Sequence, residues 1–326
     1  MKKAKNTQIY QVPEERCHER LDVFLAEQMG ISRTKIQKMI IANQVTLDGR
    51  EPKKAGERLT STKQIEVKEE DTSIKDAENK IKAKKLPKLD VVAETADYIV
   101  VNKPSGILVH PTQAGEVDTL VNMLLAKYPE IKNVGEAEVR PGIVHRLDKE
   151  ASGLLVIART QKSFESLKKQ FQDRSVDKLY SVLVYGQMNK DTGQIDFDID
   201  RGGDGRMVSR PKIDKMKLRN ISKIQDGKEA LTEYWVEEKY KRFSLLKVKI
   251  HSGRTHQIRV HMYALGCPVV GDPLYCNKKL QKKSDGELNR LFLHARHLEF
   301  TDLKGERVSF DQAIPASLKN YLQSLV

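Results

Sequence analysis

The chain contains few cysteines and no long apolar segment. Its three cysteines are scattered along 326 residues, and no Cys-x-x-Cys pair occurs. This spacing argues against a disulfide framework and against a structural zinc site, so we expect reduced thiols. No apolar run approaches the roughly 18 residues of a membrane helix. Early lysines are not followed by an apolar segment, so we expect no secretory signal, no membrane partner and a cytoplasmic location.

The composition predicts a basic, globular protein with more than one domain. A hydrophobic content of 39% with 32% charged residues is typical of a globular chain, and 326 residues suffice for two domains. The net charge of +13 favours a polyanionic partner whose binding weakens with salt. The segments before and after residue 90 both carry an excess of Lys and Arg. A substrate that contacts both parts explains this distribution.

Residues 140–158 combine a turn, ionisable side chains and an apolar run. A Pro-Gly pair breaks the chain, His145, Arg146 and Asp148 follow, and Gly153 precedes a run typical of a buried strand. A carboxylate flanked by Arg and His suits nucleophilic or acid/base catalysis, because a nearby cation keeps it ionised. In isolation the same motif also fits a surface turn with an ordinary ion pair.

The segment His145-Arg146-Leu147-Asp148, followed by Ser152-Gly153-Leu154-Leu155, resembles the signature of the RluA/RluD family of RNA pseudouridine synthases. Three further stretches match in the family's order: Asn102-Lys103-Pro104-Ser105-Gly106 with His110-Pro111, then Lys178-Leu179-Tyr180, then Ser252 to His261. The chain has Glu150-Ala151 where the family usually has Asp-Thr or a similar pair.

The resemblance implies an isomerase that converts uridine into pseudouridine without a cofactor. It implies that Asp148 is catalytic, that Arg259 pairs with it, and that Tyr180 stacks on the extruded base and assists proton transfer. Arg146 would fill the space left by the base or contact phosphate. Four further residues are expected at the substrate-binding site: His145, Lys103, Arg254 and His256. For the last three, the expected role is loop organisation or phosphate contact.

Residues 16–69 predict a compact module. Leu21, Phe24 and Leu25 share a helical face, and a second helix begins at Arg33. A short strand with an Asp-Gly turn follows. The module resembles an S4 RNA-binding domain. Its expected RNA contacts are Arg33, Lys35, Lys38, Arg50 and Lys53.

Residues 70–88 are predicted to be a charged linker and residues 89–326 the catalytic domain. Strands and helices intermix and hairpins recur, which predicts an α+β fold with a mixed, largely antiparallel sheet. We expect a strand that resumes at 107–109, and a partly loop-forming region at 187–228 that could close over RNA. A helix from residue 255 would carry Leu265 inward.

Other functions can be compared with the same residues. His256 and His261 lie five residues apart, off the spacing of a helical zinc motif, so we expect no metal. A kinase would need a Gly-rich loop and Asp-Phe-Gly, which the chain lacks. A non-catalytic ribosome-assembly factor would need no Asp148. Among substrates, the S4-like module favours large-subunit (23S) ribosomal RNA or a pre-ribosome over tRNA, and we expect a monomer.

Overall fold

The protein is described from a computed structural model, for residues 7–31, 33–60, 64–68, 87–112, 116–137, 139–203, 205–211, 227–282 and 288–325. The chain divides into two compact units. The amino-terminal unit contains residues 1–84 with 112–115, and the second unit contains the remainder. Most of the expected linker, 70–88, lies outside the described residues. Within the described parts, each helix is too short or too polar to cross a membrane.

The amino-terminal unit packs two helices against a three-stranded antiparallel sheet. The helices are α1 (Leu21–Met29) and α2 (Arg33–Ile41), and the sheet has the order β1 (Thr7–Gln11), β3 (Gln64–Lys68), β2 (Val45–Leu47). The expected apolar face of α1 is buried in the core of this unit. Gly30 ends α1 in the left-handed conformation, at φ 63°, which only glycine adopts without cost.

The second unit is built on a ten-stranded mixed sheet. Its strands are β4 (Val91–Glu94), β5 (Tyr98–Lys103), β6 (Ser152–Ala158), β7 (Asp177–Tyr185), β8 (Thr192–Arg201), β9 (Met207–Pro211), β10 (Leu231–Lys239), β11 (Phe243–Ile250), β12 (Leu293–Thr301) and β13 (Arg307–Asp311). The order is β4-β5-β6-β12-β7-β11-β10-β8-β9, with β13 beside β12. Only the β6 and β12 pair is parallel among these strands, which confirms the predicted fold class.

Four helices are described in this unit. They are α3 (Leu120–Lys127), α4 (Gln161–Gln172), α5 (Gln257–Ala264) and α6 (Ala316–Gln323). Threonine hydroxyls cap two of them, since Thr119 and Thr160 each accept a hydrogen bond from a backbone N–H of the first turn. The short α5 follows β11 by only a few residues. This connection places the start of α5 close to the end of the strand.

Two local expectations were wrong. Residues 107–109 do not resume a strand, because the chain turns there and Leu108 forms only an isolated bridge with Thr119. Leu265 follows the end of α5 and is 39% exposed, so it does not point into the core. The region 187–228 contains β8 and β9, which extend the sheet. Much of the remainder, residues 212–226, lies outside the described parts.

Strand β6 fixes the loop that carries Asp148. All seven residues of β6 are buried between β5 and β12. Gly153 has φ +118°, and a Cβ atom there would lie 2.2 Å from the carbonyl oxygen of Ala295 on β12. Glycine is therefore required where the two parallel strands meet. The preceding loop consequently emerges at a defined point on the sheet.

Candidate active site

A cleft of ≈ 560 Å³ opens between the loop before β6, strand β7, and the connection from β11 into α5. Of the described residues that line it, seven are Lys or Arg and one is a carboxylate, Asp148. The seven cations are Arg140, Arg146, Lys168, Arg174, Lys178, Arg254 and Arg259. A concave, cationic surface of this kind suits a polyanionic chain.

Asp148 lies in the cleft wall with its side chain 16% exposed. Its Oδ2 accepts a hydrogen bond of 2.9 Å from Nη1 of Arg259 on α5. The two residues are 111 positions apart in the chain. The structure thus brings together the carboxylate and the cation that the family resemblance paired. The guanidinium orients the carboxylate and supplies a counter-charge.

Arg259 is itself held by a second carboxylate. Its Nε and Nη2 atoms donate to the two oxygens of Asp272 at 2.7 and 2.8 Å. Arg259 is only 1% exposed, and burial alone would lower its pKa, yet the hydrogen bonds and charges of Asp272 and Asp148 raise that pKa well above its usual range. Arg259 therefore remains a cation in the buried wall of the cleft.

Sequence reasoning missed Asp272. Burial would raise the pKa of this carboxyl, but the hydrogen bonds and charge of Arg259 lower it, helped by backbone N–H groups of Leu274 and Tyr275. The signal in the sequence is the Gly-Asp-Pro turn that contains it. Gly271 has φ +74°, and a Cβ there would lie 1.9 Å from the carbonyl oxygen of Arg290. A turn so closely packed presents Asp272 inward.

Tyr180 lies on β7, is 5% exposed and lines the cleft. Burial, with a smaller effect of the nearby Asp148 charge, raises the pKa of its phenol well above the usual range. The side chain is consequently a neutral aromatic at physiological pH. Its ring offers a flat surface at the cleft wall, which suits stacking on a base.

His256 faces Asp148 from the N-cap position, immediately before α5. Its Nδ1 lies 3.0 Å from the hydroxyl of Tyr275, which accepts a hydrogen bond from the N–H of Met207. The hydroxyl proton then points to Nδ1, so we assign the ring proton to Nε2, 4.0 Å from Oδ1 of Asp148. Burial lowers the pKa of His256, against the opposing effect of Asp148. A neutral N–H donor therefore lies beside the carboxylate.

Lys103 has the position of a loop-organising residue, which is one of the two roles expected for it, and it does not line the cleft. Lys103 is fully buried, and its ammonium donates to the carbonyl oxygens of Pro104, Ile107 and Lys149 at 2.9, 2.8 and 3.2 Å. Burial lowers its pKa to about 7, although the charges of Asp148 and a neighbouring glutamate oppose this. Lys103 ties the 103–107 turn to the Asp148 loop and so organises the site from behind.

His145 also has a supporting role, although it lines the cleft. Its Nε2 accepts a hydrogen bond of 3.1 Å from the backbone N–H of Val156 on β6. The ring stacks on Phe171 of α4, with centroids 4.4 Å apart. Burial, with the charge of Lys178, lowers the pKa of His145 to about 3. His145 is therefore a neutral side chain that joins its loop to β6 and α4.

Two arginines that were expected to contact substrate, Arg146 and Arg254, line the cleft. Arg146 is exposed, and no residue of the described parts accepts a hydrogen bond or ion pair from its guanidinium. Arg254 donates from Nε to the carbonyl oxygen of Glu229 at 3.1 Å. That bond uses one of its donors, and the others remain available to phosphate.

The amino-terminal unit contains a buried carboxylate that organises two arginines. Asp22 is fully buried and accepts hydrogen bonds from Arg20, Arg33 and Gln37. The hydrogen bonds, first of all that of Arg20, lower its pKa well below the usual range against the effect of burial. The Arg33 side chain is 53% exposed, so it is oriented by Asp22 and still open to solvent.

Of the other expected RNA contacts of this unit, the structure describes the side chains of Arg50 and Lys53. Arg50 donates from Nη2 to Glu57 at 2.7 Å, and its side chain is half exposed. Lys53 is exposed. The side chains of Lys35 and Lys38 on α2 lie outside the described parts. Arg50 and Lys53 thus present positive charge on the surface of this unit.

Comparison with known proteins agrees with this geometry. Residues 97–264 match the family model described as RNA pseudouridylate synthase, and residues 19–65 match that of the S4 domain. An uncharacterized RNA pseudouridine synthase of Aquifex aeolicus is 38% identical over 311 residues, which are 93% of this chain and 92% of that protein. The ribosomal large subunit pseudouridine synthase D of Neisseria meningitidis serogroup A is 35% identical over 323 residues, 96% of this chain and 80% of that protein.

A solved structure supports the same assignment. Human RNA pseudouridylate synthase domain containing 1 superposes with a TM-score of 0.57 at 27% identity, covering 74% of this chain and 90% of that one. Fold, cleft and matches together define an RNA-modifying isomerase. The chain belongs to the RNA pseudouridine synthases, and among them to the RluA/RluD family, with an S4 domain at its amino-terminal end. In the parts described, no His, Cys, Asp or Glu cluster has the size to hold a metal ion.

Proposed function

We propose that the protein isomerises specific uridines of large-subunit ribosomal RNA to pseudouridine, with Asp148 as the catalytic carboxylate. The position of Asp148 carries the proposal. It is the one carboxylate among the described residues that line the cationic cleft, and Arg259 orients it at 2.9 Å. A carboxylate that acts on the sugar of a polyanion needs cations around it that attract the phosphates, and it needs a partner that orients it.

The reaction sets the requirements for this carboxylate. The bond between N1 of uracil and C1′ of the ribose breaks, the base turns, a bond forms between C5 and C1′, and C5 loses a proton while N1 gains one. Asp148 can act as a nucleophile at C1′ or as a base that removes a proton from the sugar. Both roles need an ionised, aimed oxygen. The Arg259 to Asp272 pair supplies the aim without occupying Oδ1 of Asp148.

The target uridine must leave its helix before it reaches Asp148, which costs a few kcal/mol. The exposed Arg146, two residues before Asp148, is placed to fill the space that the base leaves. Tyr180 offers a neutral ring on which the extruded base stacks. Arg254 is placed for a flanking phosphate.

Large-subunit RNA is the substrate that the relatives favour. Relatives named ribosomal large subunit pseudouridine synthase D are 33–37% identical to the chain, and three of these matches cover 96% of it. The S4 domain supplies an additional basic surface for structured RNA. tRNA is the alternative substrate, and a non-catalytic assembly factor is the alternative function.

One experiment separates these alternatives. We would measure tritium release from uridine labelled at C5, with protein-free large-subunit RNA and bulk tRNA, for the wild type and Asp148→Asn. We expect release from ribosomal RNA by the wild type alone, with RNA affinity retained in the variant. Release from tRNA alone would reassign the substrate. Release from neither, with tight salt-sensitive binding, would favour an assembly factor, and an active Asp148→Asn protein would exclude Asp148 as catalyst.

A further inference from the structure

Strand β7 presents two side chains to the cleft, Lys178 and Tyr180. Residues two apart on a strand lie on the same face, about 6.6–7 Å from one another along the strand. Tyr180 lies opposite Ala295 of β12, which pairs with Gly153 near the start of β6, whereas Lys178 lies opposite Leu298, three residues farther from the Asp148 loop that precedes β6. The three side chains therefore follow one another along the cleft, with Lys178 farthest from Asp148.

Lys178 is a cation without a carboxylate partner in the described parts of the chain. Its ammonium lies 5.2 Å from the ring centroid of Phe171, which in turn stacks on the neutral His145. The neighbouring Asp177 pairs instead with Lys249 and Arg307. An aromatic face compensates only part of the lost hydration of an ammonium group. Burial accordingly lowers the pKa of Lys178 to about 8.

Such a cation interacts strongly with a negative oxygen that enters the cleft, because little water competes for it. The isomerisation creates one. When the bond between N1 and C1′ breaks, its electron pair stays on the base, and the charge spreads over N1, O2 and O4. C1′ is meanwhile bonded to a carboxylate oxygen or joined to C2′ by a double bond. Attachment of C5 to C1′ neutralises this charge, and the base then loses the C5 proton and gains a proton at N1, so the product is neutral.

We propose that Lys178 stabilises the detached uracil anion by contacting a carbonyl oxygen at the edge of the base remote from Asp148. The spacing fits, because a base stacked on Tyr180 with its C1′ at Asp148 extends along β7 toward position 178. The inference rests on the proposed place of the ribose at Asp148. It assigns to Lys178 a role in the bond-breaking step that is separate from holding the RNA backbone.

The test compares two bases with different leaving abilities. Fluorine at C5 withdraws electrons, so 5-fluorouracil leaves with less assistance than uracil. The wild type, Lys178→Met and Lys178→Arg would each be mixed in excess with an RNA that the wild type converts, carrying uridine or 5-fluorouridine at the target. The RNA is then digested, and the loss of the starting nucleoside is measured by chromatography with mass spectrometry. The fluorinated base has no C5 proton to lose, but formation of the bond between C5 and C1′ is still detected, because it consumes the starting nucleoside.

We expect Lys178→Met, which keeps most of the aliphatic stem, to lower the single-turnover rate constant for uridine about 100-fold. The loss should be about tenfold smaller with 5-fluorouridine, and Kd for RNA should change less than about threefold. Lys178→Arg should retain part of the rate. Lys168→Met is the matched control, because Lys168 lines the same cleft from α4, and it should affect affinity more than rate.

Two outcomes would overturn the inference. If Lys178→Met lowered the single-turnover rate constant equally for both bases, Lys178 would only shape the cleft around Phe171. A loss confined to Kd would make Lys178 a phosphate contact. Asp148→Asn, measured in parallel, keeps the two proposals distinct. Activity in that variant would remove Asp148 from the mechanism. The ratio of the single-turnover rate constants for uridine and 5-fluorouridine reports on Lys178 alone.

Discussion

At the scale of single residues, the site depends on a chain of buried charges. Asp272 holds Arg259 through two hydrogen bonds, and Arg259 holds Asp148 through one. Asp272 does not line the cleft, so it acts on substrate only through Arg259. We regard Asp272 as a positioning residue, because it fixes the plane of the guanidinium that aims Asp148.

Substitution of Asp272 by Asn should separate positioning from binding. Removing one partner of a buried ion pair typically costs about 3–5 kcal/mol, and we expect the lower part of that range because Asn retains an acceptor. The turnover number should fall about 10–100-fold while KM changes little. Urea unfolding and tritium release measure both effects. Asp311→Asn, at a carboxylate that is 78% exposed, should change neither, and full activity of Asp272→Asn would contradict the positioning role.

His145 makes the stability of the protein sensitive to acid. Its pKa is lowered from 6.5 to about 3 by burial and by Lys178. Between these values the unfolded chain binds a proton that the folded chain does not, so this contribution is complete above pH 6.5 and is lost as the pH falls toward 3. At pH 5 the loss is about 1–2 kcal/mol.

A His145→Gln variant should be less sensitive to acid. Gln keeps an acceptor for the Val156 N–H but does not titrate. We expect the unfolding free energy of the wild type to fall between pH 7.5 and pH 5.0 by about 1–2 kcal/mol more than that of the variant. His294, whose pKa burial lowers to about 4, contributes with the same sign in both proteins and cancels from the difference. Equal losses in urea unfolding would show that His145 is protonated in the fold.

At the scale of secondary structure, the parallel contact between β6 and β12 determines where the Asp148 loop begins. Gly153 pairs with Ala295 there, and no side chain fits between the two backbones. Lys103 supports the loop from the other side through its three carbonyl partners. Both attachments follow Asp148 in the chain, at Lys149 and Gly153, and neither Lys103 nor Gly153 lines the cleft.

Gly153→Ala should therefore weaken both the fold and the activity. Its positive φ of 118° and the 2.2 Å approach of a Cβ to Ala295 require a backbone shift. We expect a loss of at least about 2 kcal/mol in unfolding free energy. Gly203→Ala is the control, since a Cβ there meets nothing within 4 Å. A thermal melt that gives both variants the same midpoint would contradict the required close approach.

At the scale of the whole molecule, positive charge occurs on both units and the net charge is +13. The second unit concentrates seven cations around one cleft. The amino-terminal unit presents Arg50 and Lys53 on its surface. Both sets suit phosphate contacts, which add affinity without sequence selectivity.

Removing Arg50 and Lys53 together should alter affinity and leave chemistry intact. For the double variant Arg50→Gln with Lys53→Gln, we expect weaker RNA binding and a slope of log K against log salt that is smaller by about 1–2. The rate constant at saturating RNA should stay within about twofold. Filter binding across a KCl series with single-turnover assays measures both. An unchanged salt slope would exclude these side chains from the RNA interface.

The sequence by itself determined several of the elements, the class of fold and the central candidates. Local patterns suffice for α1, the hairpin of β10 and β11, and the buried strand β6, because periodicity and turn residues act over few positions. Motif order indicated Asp148, Tyr180 and Arg259 by resemblance. These features depend on short stretches of chain, which can be read without knowing the packing.

Only the tertiary structure decided what surrounds Asp148. Asp272 joins the site through a turn outside every recognised motif, and Lys103 proves to be buried behind the loop. Nε2 of His145 accepts a hydrogen bond from the backbone of β6, and Leu265 lies outside the core. Burial and pairing of this kind depend on contacts between segments far apart in the chain. Local sequence patterns do not determine such contacts, since they are set by how the whole sheet and its loops pack.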